Sequence, residues 1–318
     1  MSTNPFKKLV KTQFPTVALG LGGGTADVVV LERRRQTYTI QRAASVELPE
    51  GVLSPSFHEI NIIDQDELSA ALLELVTNAG LGQQKKWSVA LPETAARTMI
   101  IALETVPASR GELEEMLQWK TERSFGASLE EMQVSRQRLP LDTQGRTRYL
   151  VTGIRSTVLA EYEVIFARLG WQAGLILPRH LGEAWWLMKT NAATDSLLVS
   201  GHDEGFTALL LRGGQPLIVR SVVCDRQDQA DELHRFLLFY HQRVAAPTED
   251  GHSESAIAHL LVAGSGLDQH EVSAVITETL SVTPRTLDAE DLRLVLPSNN
   301  LDFHRFIAPA GLAALAWD

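Results

Sequence analysis

The sequence predicts an α/β protein of two lobes, and three observations lead there. A strand, a glycine turn and two further strands occur near the N-terminus and recur in the second half of the chain. A third glycine loop follows an apolar run near residue 263. Between the two meanders, the composition from residue 85 to 181 changes to a self-contained α/β pattern, as of a small inserted subdomain.

The first meander opens at Val17, with an apolar strand, the turn Gly22-Gly23-Gly24-Thr25 and a second apolar strand through Leu31; Thr37 to Ala44 is the third strand. Consecutive glycines let a backbone approach a ligand closely, so their N–H groups can form a nest for an anion. A tight hairpin that binds nothing reads the same way. Residues 1–14 form a short basic tail with Lys7, Lys8 and Lys11, read as a solvated terminus. After the meander, Asp64 and Glu67 form a capping-box start for a helix with Leu68, Leu72, Leu75 and Val76 on one face, ended by Gly80. Residues 15–84 make the core of lobe 1.

Within 85–181, Trp87 to Leu91 and Thr98 to Leu103 are strands, Ser109 and Glu112 cap a helix, and Val134 to Leu139 and Tyr149 to Ile154 are further strands. Ser156 then caps a helix ending at Gly170. Trp119, Phe125 and Met132, in and just after the middle helix, either fill the subdomain's core or line a groove for a partner peptide; Met116, Trp119 and Phe125 are the candidate partner-binding residues. A connecting helix of lobe 1, within 182–196, carries Trp185 and Trp186. Lobe 2, 197–300, repeats the meander around the turn Gly201-His202-Asp203-Glu204-Gly205 and contains an amphipathic helix from Asp228 to His241 and a polar loop at 247–255. The third loop, Gly264-Ser265-Gly266, precedes another helix, and 301–318 is a helix returning to lobe 1.

Composition narrows the chemistry. A net charge of −10 argues against a general nucleic-acid binder, because phosphate backbones select basic surfaces. Cys224 is the only cysteine, so there is no disulfide framework, and with no signal peptide in view a reducing, cytoplasmic location is expected. No apolar run approaches the roughly 20 residues that span a bilayer, so any membrane link is expected to be indirect. The spacing of His234 and His241 does not suit one metal ion, no metal motif is present, and a nucleophile elbow is absent; no catalytic or metal-ligating residue is assigned.

Several stretches together resemble the actin-like PilM family of type IV pilus assembly proteins. They are Leu19-Gly20 with its glycine loop, Lys85 to Pro92, Glu112 to Trp119, Asp231 to Tyr240, Leu261 to Gly266 and Ala308 to Ala314. The resemblance runs from about Pro15 to the C-terminus. It implies a two-lobed fold of the actin, Hsp70 and sugar-kinase type, with the inserted subdomain in the position typical of PilM and of the cell-division protein FtsA. It further implies a cytoplasmic protein, peripheral to the inner membrane through its partners. Those would be the N-terminal tail of a PilN-like membrane protein, held in a groove between the insert and lobe 1, and other platform and motor proteins. ATP or ADP, with Mg²⁺, would lie between the lobes against Gly22, Gly23, Gly24, Thr25, Gly201, His202, Gly264, Ser265 and Gly266.

This sequence departs from the family pattern at the chemistry. The first loop's usual aspartate and lysine fall on Gly22 and Val29, and the second loop's positions on Ser200 and His202. Mg²⁺ needs hard oxygen ligands and phosphoryl transfer needs placed positive charge. Asp27, Asp203 and Glu204 are the nearby carboxylates. The expectation is therefore a scaffold with degenerate nucleotide loops. The alternative is an active Mg-ATP-dependent ATPase or kinase of the same superfamily.

Overall fold

The computed structural model describes residues 14–22, 24–105, 107–142, 144–189, 194–243, 256–297 and 301–318. The basic tail, except Phe14, the position Gly23 and the loop at 247–255 lie outside the described residues.

The two meanders head two sheets of one design. In the first, β1 (Val17–Leu21) pairs antiparallel with β2 (Thr25–Arg34), and β2 with β3 (Thr37–Glu47). On its other side β1 pairs parallel with β4 (Lys86–Leu91), and β4 with β8 (Gln172–Pro178). In the second, β9 (Asp195–His202), β10 (Gly205–Arg212) and β11 (Gln215–Val223) form the meander, with β12 (Ile257–Gly264) parallel to β9 and β13 (Arg285–Thr286) beyond it. Both sheets thus run third, second, first, fourth, fifth strand across, and β14 (Leu294–Val295) adds a sixth strand beside β3. That repeat is the duplication read from the glycine turns. The wholly buried runs of β1, β9 and β10 follow from being covered on both faces.

The insert is narrower than 85–181. Its own sheet contains only β5 (Arg97–Leu103), β7 (Thr147–Arg155) and β6 (Met132–Leu139), packed against α2 (Arg110–Phe125). β4 and β8 are strands of lobe 1's sheet. The helix α3 (Ser156–Arg168) buries Val158, Tyr162, Ile165 and Phe166 in the same core as α1 (Gln65–Asn78). An apolar strand such as Trp87 to Leu91 does not say which sheet it joins; the parallel partners on both its sides decide it. Local signals fare better. Asp64 Oδ1 accepts the N–H groups of Asp66 and Glu67, and Ser109 Oγ accepts that of Glu112. Ser156 is a correction: α3 starts on it, and no side chain caps the turn.

Two helices lie between the sheets. They are α4 (Arg179–Met188) and α7 (Phe303–Ala314), whose buried side chains share one core with Ala18, Val29 and Ala90 of lobe 1 and Leu198, Leu209 and Leu261 of lobe 2. The backbones meet at Gly182 and Gly311, where a β-carbon on either would collide with a carbonyl of the other helix. The C-terminal helix therefore serves both lobes. On lobe 2's outer side, α5 (Gln229–Arg243) and α6 (Gln269–Leu280) cover the second sheet. No described helix is long and apolar enough to cross a membrane.

Candidate functional site

The three glycine loops converge on one cleft of about 650 Å³ between the lobes, lined by Gly22, Gly24, Thr25, Gly201, His202, Gly264, Ser265 and Gly266. The strand order causes this. β1, β9 and β12 all end at the cleft, as parallel and pseudo-repeated strands of open α/β sheets do.

Two of the expected anion donors are engaged within the protein. The Gly22 N–H donates to Thr25 O at 2.8 Å, closing the first turn, and the Ser265 N–H donates to Gly201 O at 3.0 Å. Gly201 and Gly264 pack backbone to backbone, leaving no room for a β-carbon at either. Their glycines thus serve the contact between the second and third loops. Gly24 is different. A β-carbon there would meet nothing within 4 Å, so the space above it is open.

Below the loops lies a group of charged side chains that sequence patterning does not single out. Asp27 on β2 is buried; Ser45 Oγ donates to its Oδ1 at 2.6 Å. Arg305 Nε stands 3.6 Å from that oxygen and Arg179 Nη1 4.0 Å from Oδ2, which has no hydrogen bond. Burial raises the Asp27 carboxyl above the usual range, against the pull of both arginines. Glu93, just after β4, is buried and meets the start of α4. The His180 N–H donates to its Oε2 at 3.2 Å, and the His180 Nδ1 lies against its other oxygen. Burial opposes ionisation of Glu93, but the facing His180 and, across the cleft, His202 carry its pKa down to about 2. Glu183, one turn into α4, is fully buried, 3.8 Å from Arg179 Nε. Burial, reinforced by Glu93 and countered in part by Arg179, pushes its pKa up to about 7. His202 is pushed down by burial.

Val29, at the position where the family pattern has a lysine, is buried in the core between the lobes, away from the cleft. Asp203 and Glu204 are exposed at its mouth. Among the described residues, no group of three or more His, Cys, Asp or Glu is placed to hold a metal ion. The cleft's size and the opening at Gly24 fit a nucleotide. Its charges do not, because two carboxylates sit at the floor, no lysine is among the described residues that line it, and two N–H groups of the loops are spent.

The partner-facing residues separate. Phe125 is a correction: it is wholly buried in the insert's core with Phe57, Leu117 and Val151, out of reach of any peptide. Met116 packs against that core. Trp119 is 57% exposed and lines a groove of about 470 Å³ with Met99, Ile101, Lys120 and Arg123, beside β5. β5 is an edge strand of its sheet, and the Arg123 guanidinium lies 5.2 Å from the Trp119 ring centre.

No protein-family model matches the chain, and no curated protein matches it. Solved structures do. A chain of a PilM-PilN type IV pilus biogenesis complex superposes with a TM-score of 0.75 at 16% identity, covering 95% of this chain and 98% of that one. A Bacteroides thetaiotaomicron protein of actin-like ATPase fold and unknown function gives a TM-score of 0.48 at 11% identity, over 98% of this chain and 99% of that one. The cytoplasmic domain of EpsL, an inner-membrane component of the type II secretion system of Vibrio cholerae, gives 0.45 at 12%, over 95% and 93%. The superposition agrees with the resemblance carried by the sequence motifs: the chain has the two-lobed actin-like fold, shared over nearly its whole length with a chain of the PilM-PilN complex.

Proposed function

We propose that this protein is an actin-like scaffold of a type IV pilus inner-membrane platform, cytoplasmic and held at the membrane by its partners, and that it binds the N-terminal tail of a PilN-like membrane protein without turning over ATP. The observation that carries the reading is Trp119. A large aromatic side chain stands exposed in a groove beside the edge strand β5, on the subdomain that marks this branch of the fold. Exposed tryptophans in grooves are characteristic anchors for a partner chain. The fold shared with a PilM-PilN complex supports the choice of partner.

A second placement of the peptide has its own observation. Between lobe 1 and the insert, the segment from Phe57 to Ile63 exposes Ile60 and Ile63, at 67% and 62%, and is fixed from beneath by Glu161, whose Oε2 accepts the N–H groups of Asn61 and Ile62 at 2.8 Å each. Titrating the full chain calorimetrically with a peptide from the cytoplasmic N-terminus of the PilN-like protein of the same genome tests the proposal. One-to-one binding abolished by Trp119→Ala supports the first placement, and binding abolished by Ile63→Asp but kept in Trp119→Ala supports the second. No binding to the wild type overturns the partner. The reading as a Mg-ATP-dependent ATPase or kinase has the size of the cleft and the open space over Gly24 in its favour.

A further inference from the structure

We infer that the interlobe cleft carries its own anions: Glu93 and Asp27 occupy the positively polarised positions of its floor, so that α4 and α7 are tied to lobe 1 by an internal ionic clasp and Mg-nucleotide is excluded. The inference rests on the scaffold reading for its setting, and its test is independent of any peptide.

The first position is the N-terminus of α4. A helix start presents unpaired N–H groups and the positive end of its dipole, which is why such ends receive phosphates in nucleotide-binding folds. Here Pro178 precedes the helix and supplies no side-chain cap. The carboxylate of Glu93 takes that place from another segment, accepting the His180 N–H and facing the His180 ring. From lobe 2 the half-buried His202 lines the same cleft, and neither of its ring nitrogens has a hydrogen-bond partner.

The second position lies between Arg179 and Arg305, the two arginines of the cleft floor. Asp27 fills it, tied in by Ser45, and Ser45 Oγ in turn accepts from Arg305 Nη2 at 2.7 Å. Arg179 Nη2 also donates to Arg305 O at 3.1 Å, so α4 and α7 are joined through the same cluster. An incoming triphosphate would have to displace or face both carboxylates at once. Like charges at such separations in a partly buried site are strongly unfavourable. What a ligand's phosphates would do here, neutralising the helix end and the arginines, these two side chains already do.

The test uses the full chain. Wild type titrated with Mg-ATP and Mg-ADP to millimolar concentration should show neither binding heat nor a shift in Tm; saturable binding of either would overturn the inference. Glu93→Ala should uncover the helix end and acquire a site for a simple anion. Inorganic sulfate should then raise its Tm by more than it raises that of wild type or of the surface control Glu163→Ala, and equal shifts in all three would overturn the idea. Should Glu93→Ala not fold, Glu93→Gln keeps the hydrogen bond to His180 and loses only the charge. Its amide exchange from Leu181 to Ala184, in the first turn of α4, should then rise about tenfold over wild type, as expected for a released local clasp. Unchanged exchange would overturn it.

Discussion

Arg305 on α7 reaches across to Asp27 on β2, its Nε 3.6 Å from Oδ1, while its Nη2 donates to Ser45 Oγ, which itself donates to Asp27. One guanidinium thus binds a carboxylate directly and through a hydroxyl, at the floor of the cleft where the C-terminal helix begins. Removing the carboxylate takes from the buried Arg179 one of its two acidic neighbours, leaving Glu183, and takes from Arg305 its direct partner. Asp27→Ala should destabilise the protein by about 3 kcal/mol in urea denaturation, the range for breaking a buried charged pair. Ser45→Ala, which removes only the bridging hydroxyl, should cost about 1 kcal/mol. Equal losses for the two would show that the arginines do not depend on Asp27.

Glu183 makes folding less favourable as pH rises. Its pKa is about 7 when folded, against an ordinary 4.5, so between those values the folded state holds a proton that the unfolded state has lost. Stability from this group is therefore full below about pH 4.5 and declines up to about pH 7, by on the order of 2–3 kcal/mol. Glu183→Gln should flatten that slope and be more stable than wild type at pH 8. Urea midpoints measured at pH 5 and pH 8 decide it; a wild-type slope retained in the variant would place the titration elsewhere.

Glu93 works in the opposite sense. Its pKa, held at about 2 in the folded state, lies below the ordinary 4.5, so its contribution is present above pH 4.5 and is lost as pH falls from 4.5 toward 2. Glu93→Gln should accordingly be destabilised at pH 7, and its difference from wild type should shrink on acidification. A difference that stays constant down to pH 3 would mean that the carboxylate charge contributes nothing.

The insert's aromatic residues should divide by burial. Phe125→Ala removes a wholly buried ring that packs against Gly153 and Phe57, and should cost about 3–4 kcal/mol. Trp119→Ala should leave the melting temperature nearly unchanged while weakening binding of the PilN-like peptide by about tenfold or more. Thermal melts and calorimetry on both variants check this; a large stability loss from Trp119→Ala would make it structural.

Glycines that look alike in the sequence should differ sharply. Gly182→Ala places a methyl group against Ala308 O and should cost about 3 kcal/mol or prevent folding. Gly24→Ala meets nothing and should change stability by less than about 0.5 kcal/mol. Denaturation midpoints of the two variants are the measurement.

The meanders, the three glycine loops and most helix starts were legible because their signals are local. Asp64 and Ser109 cap within three residues of themselves, and a glycine turn between apolar runs needs no distant partner to be recognised. The limits of the insert were not legible, since Trp87 to Leu91 reads alike whether it pairs with β5 or with β1 and β8. The floor of the cleft was invisible for a stronger reason. Glu93 and His180, or Asp27 and Arg305, are ordinary polar letters far apart in the chain, and only the fold turns them into buried partners. Likewise Phe125 and Trp119 lie on one helix at similar hydrophobicity, and their different fates depend on which side meets the sheet.

The crossing of α4 and α7 at Gly182 and Gly311 has a mechanical consequence. Because those two helices complete the cores of both sheets, neither lobe can be cut out as a module with a finished interior of its own. Heat or urea should meet one cooperative unit, and a pull applied to the insert at one end should reach the far sheet as load on a shared axle, with no slack joint between them.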